Sequence, residues 1–548
     1  MSKKIPDKKQ YGPAGTVRPA EGVGKKRAAP GTRSYLWLLL AIVAVIAYAN
    51  TLNNGFALDD NQVILRNEVV KKGFAGFHEI FTTPYHYGWN ALNADKLYRP
   101  LSLVVFASVY QLFELNPMPY HFVNLLLFAA CVVALFSCLD KIFDGRRKNA
   151  ALIASILFAL HPIHTEVVAN IKSCDELLCF LFAFLSIHTF MGYLRTGGAG
   201  RLLAGGMCLL LSIFAKETSY TFLLIIPLLF FIYRNEHRRR ALYITGCTFI
   251  IGLCCLLVRY FVLYDYHTLS HMDVTENLLV APLPFDTRLA TIFYILGYYI
   301  RLLILPWPLS CDYSIHTVTY VGLTNVGVIA SLLGYLFLAV YAIIRFRKDH
   351  KDPYAFGIFF YLGNLFLFSN IPFLVGSAMA ERFLFFSSVG YCFAVALLIE
   401  HFGLRGRETP TSVLRSSKLL AILIPVSIFY LALTISRNAD WIDDNTLYDR
   451  DLKHMPSDAR LHYFVGDALM NVQGTREETH ENTLAAIPLL QQAIDIHPGY
   501  AKAECDLGIA YARLAQFDSG EKHLLRALQL DPTAELAMGD LMQLYFIP

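Results

Sequence analysis

Charged residues are scarce in this chain: lysine, arginine, aspartate and glutamate together form 16% of its 548 residues. Typical soluble domains carry about 25%. Hydrophobic residues form 55% of the sequence, and apolar runs recur from about residue 35 to residue 435 with no long polar break. This composition excludes a string of ordinary soluble domains and predicts one membrane domain that occupies most of the chain.

The cysteines lack paired spacing. Most of the 11 lie inside apolar runs, as Cys131, Cys208 and Cys392 do. A secreted disulfide framework is therefore excluded, and we interpret these cysteines as small core residues. Basic residues gather only in short loops between apolar runs, so nucleic-acid binding is not indicated.

The glycosylation sequence Asn-x-Ser/Thr is also absent. Such sequences mark acceptor sites on loops that face the secretory pathway. Their absence favours a bacterial cytoplasmic membrane over the endoplasmic reticulum.

Eleven apolar runs approach the length of a membrane span, about 20 residues. The basic loops between them, such as residues 234–240, then all lie on the side of the basic N-terminus, as cytoplasmic loops do. Residues 1–34 are predicted to form a disordered cytoplasmic tail. A twelfth apolar segment, residues 288–306, would invert every later loop if it crossed, so we expect it to be embedded or interfacial. The predicted spans are residues 36–52, 121–143, 150–168, 177–194, 202–215, 218–233, 241–263, 321–344, 354–376, 383–400 and 419–436.

The last part of the chain, residues 455–548, has the composition of a soluble helical domain. Pro498 and Pro532 lie 34 residues apart in similar surroundings, which is the tetratricopeptide period. The preceding unit fits if residues 475–482 are an insertion. We expect these repeats to lie outside the cytoplasm and to lean on the membrane domain, because few repeats bury too little apolar surface alone. They form either a concave peptide-binding surface or a passive structural cap.

Polar motifs gather on the predicted outer side of the membrane domain, which spans residues 35–440. Asp59 and Asp60 follow the first span, inside a predicted outer loop at residues 53–119. The other motifs, in chain order, are Tyr98-Arg99-Pro100-Leu101, His161-Pro162-Ile163-His164-Thr165-Glu166, Lys216-Glu217 and Ala380-Glu381-Arg382-Phe383. In order and spacing these motifs resemble the GT-C membrane glycosyltransferases, in particular the transmembrane and tetratricopeptide-repeat O-mannosyltransferases and their bacterial relatives.

The resemblance extends from about residue 49 to the C-terminus. The chain departs from it by having few repeats, and by Cys174-Asp175, where the family often has a small or basic residue before the acid. The resemblance implies an all-α membrane protein of about eleven spans. It also implies transfer of mannose or another hexose from a polyprenyl-phosphate donor to an acceptor hydroxyl, on protein Ser/Thr presented by the repeats.

Such a reaction needs a carboxylate that accepts the hydroxyl proton and cations that hold the leaving phosphate. We predict Asp59 as the base and Asp60 as its orienting neighbour, because the first acid is the stronger candidate in the resembling family. Glu217 and Glu381 each adjoin a cation and are predicted to orient it. The residues predicted to bind the donor phosphate or substrate are Arg99, His161, His164, Glu166, Lys216, Arg301 and Arg382.

Some of these residues also have other interpretations. The two histidines and Glu166 are residue types that can bind a divalent metal, but a further ligand is not evident. Neither a metal nor another cofactor is therefore indicated. The same stretch fits a capped helix end, and Arg301 fits an arginine that extends to the headgroups. The alternative function is a non-enzymatic membrane scaffold that recruits partners through its repeats. A transporter fits less well, because the intramembrane charges gather at one face.

Overall fold

A computed structural model of the chain describes residues 31–90, 96–233, 237–266, 272–403, 416–472 and 475–545. Within these ranges the chain is helical, without strands, and an isolated bridge joins Ile315 to Val318. This confirms the predicted all-α fold. Most of the predicted N-terminal tail lies outside the described residues, and its last part already belongs to a helix that begins at Gly31.

The helices up to residue 440 carry most of the apolar runs. The first eight are α1 (Gly31–Tyr48), α2 (Phe77–Thr82), α3 (Pro100–Phe113), α4 (Pro117–Ile142), α5 (Lys148–Leu160), α6 (Thr165–Ala169), α7 (Cys174–Thr196) and α8 (Ala199–Ala215). The next seven are α9 (Phe222–Leu228), α10 (Arg238–Leu263), α11 (Phe285–Ile304), α12 (Val326–Lys348), α13 (Pro353–Leu367), α14 (Ser387–Gly403) and α15 (Ser417–Asp440).

Seven helical segments of the described chain are long and apolar enough to cross a membrane: Tyr35–Asn53, Pro117–Ile142, Ile171–Thr196, Arg238–Leu263, Phe285–Ile304, Val326–Lys348 and Ser417–Asp440. Helices α5 and α6 form an eighth candidate, bent by 57°. The remaining predicted spans lie on apolar helices of 10–17 residues, so the count of eleven stays a prediction. Helix α11 was expected to be only embedded or interfacial, but at 20 residues it is long enough to cross.

The outward faces of several helices are apolar. On α10, Leu253 is 59% exposed and Phe261 is 71% exposed, and Phe337 on α12 is 66% exposed. Continuous exposed apolar faces of this kind are costly in water and are satisfied by lipid. Together with the candidate spans, they identify the chain as a multi-pass integral membrane protein.

The predicted outer loop between α1 and α4 contains more regular structure than expected. It includes α2 and the apolar helix α3, which has 14 residues and begins with Pro100 at its first position, where proline is well tolerated. Because α3 starts immediately after Arg99, the loop holds that arginine at a helix start against the membrane domain.

The C-terminal part consists of antiparallel helix pairs. Its helices are α16 (Asp444–His454), α17 (Ala459–Asn471), α18 (Arg476–Ile496), α19 (Ala501–Arg513), α20 (Phe517–Leu530) and α21 (Glu535–Tyr545). Glycine allows close packing within the pairs: a Cβ on Gly466 would lie 2.9 Å from Leu490, and one on Gly508 would lie 2.8 Å from Leu524. The predicted insertion extends the start of α18, where Thr475 and Glu478 form a capping box. The assignment of these helices to tetratricopeptide repeats stays a prediction.

The helix pairs pack on the membrane domain through buried carboxylates. Asp458 accepts hydrogen bonds from the Ser314 hydroxyl (2.9 Å) and the Thr317 hydroxyl (2.6 Å) in the segment after α11. Asp451 accepts from the Cys311 backbone N–H (2.7 Å) and from Arg437 Nη2 (2.9 Å). The C-terminal helices therefore lean on the membrane domain, as the sequence predicts.

Candidate active site

The acidic pair lies in a turn that the segment after α15 holds in place. The Gly55 backbone N–H donates to the Ile442 carbonyl (2.7 Å), and the Leu58 N–H donates to Asp444 Oδ1 (2.6 Å). Leu58 has φ +52°, a conformation that non-glycine residues seldom adopt. The turn is therefore set by contacts with the start of the C-terminal helices and not by local preference alone.

Asp60 is an anchor of this turn. Its side chain is buried, with Oδ2 accepting from the Ala57 N–H (3.0 Å) and Oδ1 accepting from the Lys172 N–H (2.7 Å). Burial raises the pKa of Asp60 to about 7, although these two backbone hydrogen bonds lower it. Both oxygens are occupied by the protein, so Asp60 joins the turn to the segment before α7.

Asp59 differs from its neighbour because its side chain is 48% exposed. Its Oδ2 lies 3.2 Å from Lys172 Nζ. Partial burial would raise its pKa, but the charges of Lys172 and Arg382 outweigh this and hold the pKa of Asp59 below its usual range. Asp59 is thus an accessible, ionised carboxylate, which is the state that a general base requires.

Arg382 contributes a second cation to this region. Its guanidinium forms an ion pair with Glu166, whose other oxygen accepts from the Arg382 backbone N–H (2.8 Å). Glu166 is buried, whereas the Arg382 side chain is 24% exposed. Glu166 therefore orients Arg382, which stays partly exposed, contacts the Ser377 hydroxyl at 3.5 Å and interacts electrostatically with Asp59.

A larger ion-pair network surrounds the start of α7. Asp175 Oδ2 lies 2.8 Å from Arg99 Nη1, and Asp175 Oδ1 lies 3.2 Å from Lys216 Nζ. Lys216 also contacts Glu176 Oε1 at 2.9 Å. Arg99 Nε reaches Glu217 Oε2 at 2.8 Å. Two predicted cations, Arg99 and Lys216, are thus brought together. Glu217 orients Arg99 and not the adjacent Lys216, so the prediction that it orients its neighbour is wrong.

The network is electrically balanced. Arg259 joins it by a contact of 3.4 Å with Glu217 Oε1, so three cations face three carboxylates. Arg99 and Lys216 are nearly buried, and each is held between two acids. Because their charges are already compensated, these two cations suit a positioning role better than direct capture of a phosphate, and Arg382 is the more available cation.

The two histidines lie in the protein core, away from these charges. His161 Nε2 contacts the Leu303 carbonyl (3.0 Å), and its Nδ1 accepts from the Ile163 N–H (3.2 Å). His164 contacts the Phe158 carbonyl (2.8 Å) and the Ser388 hydroxyl (2.9 Å). Both rings are completely buried. Neither ring can hold a donor phosphate in this arrangement, because every ring nitrogen is already hydrogen-bonded.

Two other predicted residues also lie elsewhere. Arg301 Nη2 donates to the Trp307 carbonyl (3.1 Å) and its guanidinium stacks on Tyr298, on an exposed face of α11. Glu381 accepts from the Ser310 N–H and the Tyr313 hydroxyl, both at 2.7 Å. Glu381 therefore orients the segment after α11, and the prediction that it orients the adjacent cation is wrong, since Glu166 does so.

The described residues contain no group of three or more histidine, cysteine, aspartate or glutamate side chains that could hold a metal ion. The two histidines that suited a metal by type are committed to hydrogen bonds within the core. The site is thus built from carboxylates, lysines and arginines.

Several residues of the site were not predicted from the sequence. They are Lys172, Asp175, Glu176 and Arg259. Three of them lie at the start of an apolar run, where charges so close to a buried helix were a usable signal. Arg259 lies near the end of α10, where an arginine is readily interpreted as extending to the headgroups.

An apolar cavity of about 840 Å³ lies beside the network. It begins at Tyr220 and Thr221, three and four residues after Glu217, and continues between α9 and α13. Its walls are mostly leucine, isoleucine and phenylalanine. Its lining includes exposed side chains, such as Leu224 (65%) and Phe366 (54%), so it is a groove that opens to the surface of the membrane domain. At one end, Tyr220 interacts electrostatically with Arg259 and Glu217 of the network.

Comparison with known proteins gives a consistent set of relatives. Protein O-mannosyl-transferase F38B6.6 of Caenorhabditis elegans is 26% identical over 82% of this chain and 62% of the relative. Protein O-mannosyl-transferase TMTC3 of Homo sapiens is 28% identical over 90% of the chain and 55% of the relative. Protein O-mannosyl-transferase Tmtc3 of Drosophila melanogaster is 27% identical over 96% and 62%. The chain resembles the transmembrane and tetratricopeptide-repeat O-mannosyltransferases.

This resemblance confirms the one that the sequence motifs indicated. The chain spans 55–62% of the length of these curated relatives. No protein-family model matches the chain. Among solved structures, ArnT from Cupriavidus metallidurans bound to undecaprenyl phosphate aligns with a TM-score of 0.40 at 12% identity, over 94% of this chain and 77% of that chain.

Proposed function

We propose that the chain is a membrane glycosyltransferase that moves a hexose, mannose foremost, from a polyprenyl-phosphate donor to a hydroxyl of protein Ser/Thr on the extracytoplasmic side. The observation that carries the proposal is the accessible Asp59 carboxylate beside two cations, Lys172 and Arg382. Relatives named as protein O-mannosyl-transferases favour mannose and a protein acceptor.

The proposed reaction is a displacement at the anomeric carbon of the sugar. Asp59 accepts the proton of the acceptor hydroxyl while the hydroxyl oxygen bonds to that carbon, and the bond from the carbon to the phosphate oxygen breaks. The phosphate leaves with the bonding electrons, and Arg382 and Lys172 stabilise its charge. Direct displacement inverts the configuration of the sugar.

In this scheme Lys172 can bind either Asp59 or the donor phosphate. Its Nζ lies 3.2 Å from Asp59 Oδ2. A donor phosphate beside Asp59 competes for the same ammonium, and when Lys172 moves toward the phosphate, the carboxylate becomes a stronger base. Donor binding would thus prepare the base for the incoming hydroxyl.

The apolar cavity supports a lipid-linked donor. Its volume of about 840 Å³ and its leucine- and phenylalanine-rich walls suit a branched hydrocarbon chain. Its first residues follow Glu217 in the chain, so a lipid chain there would have its phosphate end near the charged network. The lining of this cavity offers few polar groups that could bind a nucleotide-sugar donor.

The C-terminal helices support a protein acceptor. Asp444, at the start of α16, holds the backbone of the turn that carries Asp59. Asp467 on α17 interacts electrostatically with Arg66, a few residues after the acidic pair. A polypeptide that lies along these helices would therefore reach the proposed base without a further domain movement.

We infer the orientation from the basic loops, with α11 taken as an embedded helix: the N-terminus is cytoplasmic, and the site and repeats are extracytoplasmic. The missing glycosylation sequences favour a bacterial cytoplasmic membrane over the endoplasmic reticulum. The named relatives come from animals, and this leaves the choice of membrane to experiment.

The direct test is sugar transfer by the purified, full-length chain in lipid nanodiscs. Polyprenyl-phosphate [³H]mannose is supplied with a serine- and threonine-rich polypeptide, and labelled polypeptide is measured. The proposal expects label on hydroxyl side chains. Absence of transfer from mannose, glucose and galactose donors alike, by a well-folded protein, would overturn the proposal and favour the scaffold function.

A further inference from the structure

Glu176 is bound differently from the acid beside it. Both residues lie in the first turn of α7, and both are buried. Asp175 uses both carboxylate oxygens, one on Arg99 and one on Lys216. Glu176 uses only Oε1, at 2.9 Å from Lys216 Nζ. Its Oε2 is buried and has no hydrogen-bond partner among the described residues.

A buried carboxylate oxygen without a partner is unfavourable, and native proteins rarely keep one unless another molecule satisfies it. A carboxylate oxygen that is not already bonded accepts hydrogen bonds. A group that donates a hydrogen bond therefore suits Glu176 Oε2. A sugar hydroxyl has this property, whereas the phosphate of the proposed donor would repel the carboxylate.

The position of Glu176 agrees with this partner. Arg382 interacts electrostatically with Asp59, Glu166 and Glu176. Glu176 thus lies where the charged network approaches the proposed base and the cation assigned to the leaving phosphate. The hexose of a bound donor has to occupy the space next to these two groups, because its anomeric carbon joins the phosphate to the attacking hydroxyl.

Resting on the proposed function, we infer that Glu176 Oε2 accepts a hydrogen bond from one hydroxyl group of the donor hexose. This contact selects sugars that carry a hydroxyl at that position of the ring. A site built around a substrate hydroxyl discriminates strongly against an analogue that lacks it, because the protein group is then left unpaired.

The test compares donors that differ by one hydroxyl. Wild type is assayed with polyprenyl-phosphate mannose and with its 2-, 3-, 4- and 6-deoxy analogues, and kcat/KM is measured for each. We expect one deoxy donor to be worse by about 10-fold to 100-fold, the worth of a hydrogen bond to a charged group. In Glu176→Met the mannose donor should lose a similar factor, and the same deoxy donor should carry no further penalty.

Asp175→Leu is the matched control, because it also removes one of the two acids that hold Lys216. It should lower transfer from all donors alike and keep the discrimination. If Glu176→Met does not fold, Glu176→Asp is used in its place, because it keeps the carboxylate and shortens the side chain by one methylene. It should also weaken the discrimination.

If both Glu176 variants still distinguish the mannose donor from the deoxy donor as wild type does, the inference is overturned while the proposed function stands. The same holds if Asp175→Leu loses this distinction to the same extent as the Glu176 variants. Equal use of mannose and all four deoxy donors by wild type would have the same meaning. A wild-type chain that transfers no sugar at all would instead overturn the proposed function, and this inference with it.

Discussion

Removal of the Lys172 charge should make sugar transfer more sensitive to acid. Lys172 Nζ lies 3.2 Å from Asp59 Oδ2, and the Asp59 side chain is 48% exposed, so solvent screens the pair. A screened pair of this kind is worth about 1 kcal/mol, which corresponds to about one pKa unit. Lys172 and Arg382 hold the pKa of Asp59 below its usual range. Lys172→Met should therefore raise that pKa toward its usual value.

The assay is the pH profile of kcat/KM for transfer from polyprenyl-phosphate mannose, between about pH 3 and pH 7, a window that contains the usual pKa of an aspartate carboxyl, about 3.9. A base works only when it is ionised, so a higher pKa moves the acid limb of the profile upward. Wild type should remain active at the acid end, and Lys172→Met should fall there. Lys172→Arg keeps the charge and should keep the wild-type profile. An identical profile for Lys172→Met and wild type, at measurable transfer, would refute the reasoning.

Three further predictions follow from the same contacts. Arg99→Ala should lower the free energy of unfolding by about 3–5 kcal/mol, because two carboxylates lose their cation; an unchanged thermal midpoint in detergent would contradict this. His164→Ala should lower the unfolding temperature and leave the KM for the donor unchanged, since the ring is fully buried and hydrogen-bonded within the protein; a raised KM without loss of stability would instead indicate a substrate contact. Reporter fusions after residues 418 and 548 should lie on opposite sides of the membrane, and two cytoplasmic reporters would contradict the outward-facing site.

The sequence was most informative where polar residues interrupt apolar runs. Asp59 and Arg99 lie in the predicted outer loop and Lys216 lies between two predicted spans, and the structure places all three in or beside one charged region. Such positions are informative because charges at the edge of a membrane domain are expensive unless they are paired or used. The order of the motifs along the chain was sufficient to identify the resemblance that the comparisons confirm.

Partner choice could not be predicted from spacing. Glu381 is adjacent to Arg382 in sequence but contacts Ser310 and Tyr313, while Glu166, more than 200 residues earlier, orients Arg382. The same limit applies to His161: spacing does not say whether a side chain at a helix end faces a cleft or the core. The bend between α5 and α6 likewise depends on tertiary packing.

The most direct test of the central claim is the transfer rate of Asp59→Asn. The amide is nearly isosteric, the Asp59 side chain is half exposed, and Lys172 keeps its electrostatic interaction with Asp175, so the protein should fold and bind donor. Loss of a general base lowers the rate by about 100-fold to 10,000-fold. Asp286→Asn, at the exposed start of α11, is the matched control and should transfer at the wild-type rate. Near-normal transfer by Asp59→Asn, at wild-type protein levels, would contradict the assignment of Asp59 as the base.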